Sequence, residues 1–217
     1  MTLLLPLYAH PAEDPRAWRP APLRNAGATV IVNVHDGPGE ALDPAYQEVT
    51  ADLQTAGVAM LGYVDLDYGR RPFEQVTADV AAWRRYPVGG IFFDQAPSAV
   101  SGLSAVSRAV SCVRDGHVVL NPGTRPHPAY SPLAERICTF EGPWQAYLDD
   151  GREPDWPHAL HLVYGVPPRL LGEAALRMSR RCAGGLVSDL TAPLPYLGLP
   201  GWLRLPVTAS SATQAAR

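Results

Sequence analysis

The chain contains no lysine, and all eighteen of its basic residues are arginine. Schiff-base chemistry and any lysine-dependent phosphate loop are thereby excluded. Cysteine is scarce as well: Cys112, Cys138 and Cys182 are odd in number and widely spaced. They form neither a disulfide framework nor a zinc-binding pattern, and fit the reduced thiols of a cytoplasm. Only 18% of residues are charged, the formal net charge is −3, and no basic stripe stands out. These features argue against a nucleic-acid partner. No apolar run reaches the roughly 18 residues of a membrane span. The apolar start, Met1 to Leu7, has no basic flank or cleavage site and breaks at Pro6. It does not read as a signal peptide, and a cytoplasmic location is the expectation. Glycine-rich dinucleotide loops, His-Glu-x-x-His and Gly-x-Ser-x-Gly are all missing. No cofactor, metal or serine-nucleophile chemistry is expected.

What the chain does have is 217 residues, 47% of them hydrophobic. That suffices for one domain burying roughly 70% of its unfolded surface. Short apolar runs at Leu3–Tyr8, Thr29–Asn33, Val58–Val64, Gly90–Phe93, Val118–Leu120, Ile137–Phe140, Ala159–Val163 and Leu186–Val187 read as strands. Amphipathic stretches at Pro15–Asn25, Asp43–Ala56, Pro72–Arg85, Ser98–Arg114 and Arg169–Cys182 read as helices, with a short segment at Pro128–Arg136. Asp43 before Pro44 is an N-cap followed by proline at the first helical position. Eight strands in βα alternation predict an α/β fold, a single-domain (β/α)8 TIM barrel of near-minimal size. It is expected to occupy residues 1–207, with a small, polar, flexible tail at 208–217.

In such barrels the chemistry sits at the C-terminal ends of the strands. Here those ends carry Tyr8 and His10, Asn33, Asp65, Asp94 and Gln95, Asn121, Glu141 and Asp189. Asp94 and Glu141 each follow directly on phenylalanine, where partial desolvation raises a carboxyl pKa toward useful values. Ser98 is available to cap the helix after Asp94, which leaves that carboxylate for the site. Asp65 is a third carboxylate candidate, since it alternates with Asp67 and lies nearer the strand. Asn121 offers a hydroxyl-binding amide, and Tyr8, Tyr63, Tyr68 and Trp144 offer flat faces for sugar rings or for the core.

Several ordered segments resemble the spherulin-4-like (spherulation-specific) family of glycoside hydrolases. They are Val32-Asn33 through Gly37-Pro38-Gly39, Gly62-Tyr63-Val64 with Tyr68-Gly69, and Gly90-Ile91-Phe92-Phe93-Asp94. Val119 to Thr124, Thr139-Phe140-Glu141-Gly142 and the late Tyr196…Leu199-Pro200 continue the series. The resemblance implies a (β/α)8 barrel and endo-cleavage of galactosamine-rich polysaccharides. It implies catalytic carboxylates at Asp94 and Glu141; the strand-end reading adds Asp65, Tyr8, His10, Asn33, Tyr63, Tyr68, Asn121, Trp144 and Asp189 as residues available around them. The family pattern has a glutamate where this chain has Gln95. An amide cannot deliver a proton, and general acid–base participation is worth about 10²–10⁴-fold.

Two function classes therefore stand. One is a glycoside hydrolase acting on amino-sugar glycans through Asp94 and Glu141, with Gln95 holding a hydroxyl or N-acetyl group. The other is a repurposed cytoplasmic cyclase, isomerase or lyase acting on a small metabolite, with Asp94, Glu141, Asp65 and His10 as acid–base groups. A long open groove would favour the glycan, and a small closed pocket the metabolite.

Overall fold

The computed structural model describes residues 2–150 and 155–204. The expected tail at 208–217 lies outside them. Eight parallel strands close into a barrel in chain order. They are β1 (Thr2–Leu7), β2 (Ala28–Val32), β3 (Ala59–Asp65), β4 (Gly90–Asp94), β5 (His117–Leu120), β6 (Arg136–Pro143), β7 (Ala159–Tyr164) and β8 (Gly184–Val187). Among the described residues six helices pack around them: α1 (Pro20–Asn25), α2 (Pro44–Thr55), α3 (Phe73–Ala82), α4 (Leu103–Ser111), α5 (Trp144–Asp149) and α6 (Leu171–Ser179). The chain is a single-domain (β/α)8 TIM barrel.

The strands are buried on both faces, as a parallel sheet covered by helices requires. Outside, Trp83 lies flat on β3 because Gly62 has no side chain; a Cβ there would stand 2.3 Å from the indole. The Trp83 indole donates to the carbonyl of Tyr63 at 2.8 Å, which fixes that strand against the turn after α3. A second apolar layer joins Phe140, Val163 and Val187 to Trp144, Tyr147, Ala174 and Met178 of α5 and α6.

Closure depends on the glycine pair at the start of β8. Gly184 and Gly185 face Thr2 and Leu3 of β1 on one side, and Leu160 and His161 of β7 on the other. Their φ angles of 152° and 132° lie in territory that L side chains rarely adopt. A Cβ on Gly185 would meet the His161 carbonyl oxygen at 1.8 Å.

Asp43 caps α2 as expected, accepting from the amides of Ala45 and Tyr46. Three local expectations need correction. The Pro15–Asn25 helix begins only at Pro20, because proline holds Arg19 extended and stops a helix from running through it. Ser98 caps nothing: its carbonyl accepts from His127, and α4 is entered through a 3₁₀ turn at Val100–Gly102. The short α5 is an addition to the expected elements, and Glu141 lies within β6 instead of just beyond it.

Gly185→Ala is expected to destabilise the barrel by at least about 3 kcal/mol, combining a disallowed φ with a backbone clash. For this chain length that is a fall in Tm of roughly 6–12 °C, read by thermal unfolding. A change under about 2 °C would show that the seam tolerates a side chain.

Candidate active site

At the C-terminal mouth the ladder hydrogen bonds continue beyond the strands. The Leu66 amide donates to the Asp94 carbonyl, the Ala96 amide to that of Asn121, and the Glu141 amide to that of Gly123, each at 3.0 Å. The loops after β3, β4 and β5 are thus held almost as firmly as the sheet. Asp67, Tyr68 and Gln95 adopt left-handed φ values of 44°, 52° and 48°. Such strain, about 1–3 kcal/mol per residue, collects at functional sites. The Gln95 carbonyl takes the Tyr68 amide at 2.7 Å, which joins two of these strained turns.

One amide organises the centre. Asn121 Nδ2 donates to Asp94 Oδ1 at 2.7 Å and to Glu141 Oε2 at 2.5 Å. Its Oδ1 accepts the Gly123 amide at 3.0 Å, which fixes which end of the side chain faces the carboxylates. With both of its protons committed, one nitrogen spans the pair. The two oxygens it touches stand at most 5.2 Å apart, the two bonds laid end to end. The outer oxygens have their own donors: Tyr63 hydroxyl to Asp94 Oδ2 at 2.9 Å and Tyr196 hydroxyl to Glu141 Oε1 at 2.7 Å.

Burial and the adjacent Glu141 push the Asp94 carboxyl up to about 6, against the lowering effect of the Gln95 amide, Tyr63 and Asn121. Burial and the same carboxylates hold the phenols of Tyr63 and Tyr196 above their usual range, so both keep their protons. Burial first, then Glu141 and Asp94, raise the Cys138 thiol beneath them, so it is not a nucleophile. Among the described residues no ion pair reaches Asp94 or Glu141. No group of three or more His, Cys, Asp or Glu with metal-holding geometry occurs among them either.

Beside Glu141 lies a cleft of about 550 Å³, lined by Tyr8, Tyr68, Tyr164, Tyr196 and the 192–197 loop. It is open: Tyr68, Leu194 and Leu197 on its rim are 56, 59 and 49% exposed. Tyr8 packs edge-on against Tyr63 and Tyr196, with centroids 5.8 and 5.7 Å away.

The structure thus brings together Asp94, Glu141, Asn121, Tyr63, Tyr8 and Tyr68, with Gln95 beside them. Half-buried Gln95 contributes its backbone, and its side chain makes no hydrogen bond among the described residues. Other candidates make contacts of their own. Asp65 and Asn33 accept the amides of Asp67 and Gly37 and so close their own loops. Asp189 holds the Gly201 amide at 2.8 Å. His10 sits against Asp43 and Tyr46, away from the pair. Trp144 is buried in the outer apolar layer and offers no face to the cleft. Tyr196, bonded to Glu141, is a site residue that the strand-end argument misses. Its place in the late Tyr196…Leu199-Pro200 segment is the available signal.

Comparison with known proteins returns one family and one barrel fold. A sequence model of the spherulation-specific family 4 matches residues 2–199. Spherulin-4 of Physarum polycephalum is 34% identical over 151 residues, which is 64% of this chain and 44% of that protein. The chain therefore spans less than half the length of this relative. Aspergillus clavatus Sph3, solved in complex with GalNAc, superposes with a TM-score of 0.80 at 23% identity, covering 94% of both chains. At that identity the likeness carries the barrel fold.

The raised Asp94 carboxyl makes a signed prediction. The native state keeps this proton at pH values where the unfolded chain, near 3.8, has released it. Its contribution to stability is therefore full below about pH 4 and is lost as pH rises through 6. Asp94→Asn should gain about 2–3 kcal/mol over the parent between pH 4 and pH 7, by chemical denaturation at both values. Parallel stability profiles would contradict it.

Proposed function

The chain belongs to the spherulation-specific family 4, and from that premise we propose that it is a glycoside hydrolase of amino-sugar glycans, with Asp94 as acid and Glu141 as nucleophile. The observation that carries this reading is the single Asn121 nitrogen shared by both carboxylates. A separation of about 5–5.5 Å suits a retaining double displacement, whereas an inverting enzyme keeps about 6.5–9.5 Å for a water.

In the proposed reaction the glycosidic oxygen takes the Asp94 proton as its bond to C1 breaks. Glu141 supplies the electron pair that bonds to C1, giving a glycosyl ester. Asp94, now a carboxylate, takes a proton from water; that water attacks C1 and releases Glu141. Tyr63 can reverse its hydroxyl from donor to acceptor as Asp94 gains or loses its proton. Asn121 and Tyr196 stabilise the carboxylate of Glu141 when it leaves. The open cleft, with aromatic and aliphatic walls, suits the apolar faces of successive sugar rings. The GalNAc bound by Sph3 supports galactosamine-type sugars as the substrate class. Asp65 shapes the turn that carries Tyr68, and Gln95 offers an amide to a hydroxyl or N-acetyl group. A cytoplasmic setting is part of the proposal, supported by three free thiols.

Gln95 favours a second reading, in which the barrel performs proton transfer on a small metabolite through the same pair. The open cleft favours the glycan.

The test is hydrolysis of oligo-galactosamine and its N-acetylated form by the parent chain, Asp94→Asn, Glu141→Gln and Gln95→Glu. Turnover is expected in the parent, with losses of about 10²–10⁴-fold in the two carboxylate variants. Rates should fall as pH rises through about 6, where Asp94 loses its proton. Activity appearing only in Gln95→Glu would mean the hydrolysis has been switched off here. Silence from all four folded proteins would overturn the glycosidase reading in favour of the metabolite enzyme.

A further inference from the structure

We propose that Asp155, which lies before β7 and outside the cleft, is a positioning residue: it locks a β-bulge at Thr139 and thereby aims Glu141 into the barrel. The inference rests on Glu141 belonging to the active pair.

Side-chain parity along β6 is the starting point. Cys138 faces inward, where Glu141 and Asp94 are its electrostatic neighbours. Phe140 faces outward, packed with Trp144, Tyr147, Val163 and Val187. Strict alternation from Cys138 would turn Phe140 inward and Glu141 out toward the helices. The pairing with β7 breaks that alternation. Cys138 lies opposite Leu160 and Phe140 opposite His161, leaving Thr139 as one extra residue. An inserted residue re-aims the side chains beyond it. Glu141 reaches Asn121 and Tyr196 only because this bulge resets the parity.

One carboxylate reaches both the bulge and the strand beside it. Thr139 hydroxyl donates to Asp155 Oδ2 at 2.6 Å. The same oxygen takes Nε2 of His161, the residue opposite Phe140, at 3.3 Å. His161 is itself fixed, since its Nδ1 accepts the Tyr147 hydroxyl at 2.8 Å. On the other side, Asp155 Oδ1 accepts Arg125 Nε and Nη2 at 3.0 and 2.7 Å, and the Trp156 amide at 2.7 Å. Arg125 follows directly on the Asn121–Thr124 loop that presents the bridging amide. One side chain, 4% exposed, therefore ties down both the bulge that aims Glu141 and the loop that carries Asn121. These donors more than offset its burial and hold Asp155 well below the usual carboxylate range. A charge-assisted clamp of this kind outlasts the pH range in which Asp94 titrates.

The test replaces Thr139 by valine, which keeps the shape and removes the hydroxyl, and by serine, which keeps the hydroxyl. Two readouts are used: kcat and KM on oligo-galactosamine, and the Asp94 midpoint followed by ¹³C NMR of the side-chain carboxyls without substrate. Thr139→Val is expected to lower kcat about 10–100-fold with KM little changed, as for a misplaced reacting group. Its Asp94 midpoint should drop below about 6, because the Glu141 charge no longer sits beside it. Thr139→Ser should restore both. Should Thr139→Val lose its fold, Asp155→Asn decides by the same readouts and is expected to move them the same way. An unchanged kcat and Asp94 midpoint in the folded variant, or no rescue by serine, would overturn the proposal. The titration needs no turnover, so a parent chain silent on every glycan would sink the proposed function while this inference is still decided.

Discussion

Two carboxylates sharing one buried amide cannot both carry a charge without cost, and the site is built around that constraint. Asn121 holds Asp94 and Glu141 within one nitrogen's reach. Each outer oxygen is given its own phenol. The result is a pair in which Asp94, burdened by burial and by its neighbour, keeps a proton to about pH 6. The arrangement lowers native stability as pH rises, a typical trade of stability for function.

The barrel supplies the rigidity that this pair needs. Loops after β3, β4 and β5 are stitched by backbone bonds that extend the sheet, and strained turns at Tyr68 and Gln95 are joined to one another. Glycines at the β8 seam let the sheet close where a side chain would strike a carbonyl. On the far side of β6, a buried ionic network built on Asp155 grips the one irregularity in the strand. The paired carboxylates and this network thus lie on opposite faces of the same strand. Asp94 titrates near neutrality, and Asp155 remains ionised far below it.

Much of this is legible in the sequence. Eight short apolar runs in βα alternation point to the barrel, and Asp94 and Glu141 stand out because each directly follows phenylalanine at a strand end. Asn33, Asp65 and Asp189 look equivalent to them, and each binds a backbone amide of its own loop or of a nearby one. Short polar side chains at strand ends also close their own turns, and composition does not separate the two uses. Trp144 misleads because α5, only six residues long, turns it into the outer layer. Tyr196 and Asp155 are harder still. The first comes from an irregular loop 55 residues beyond its partner Glu141. The second acts through a bulge, and an inserted residue leaves no periodic trace in the strand it interrupts.

Asp94 holds its proton because it is buried and because Glu141 lies beside it. A ¹³C titration of the side-chain carboxyls in the parent chain and in Glu141→Gln tests this coupling most directly. One carboxyl is predicted to titrate near 6 in the parent and to fall clearly when the Glu141 charge is removed. If every carboxyl titrates in the ordinary range, or the midpoint near 6 is indifferent to Glu141, the two residues are not a coupled pair and the paired-acid site is contradicted.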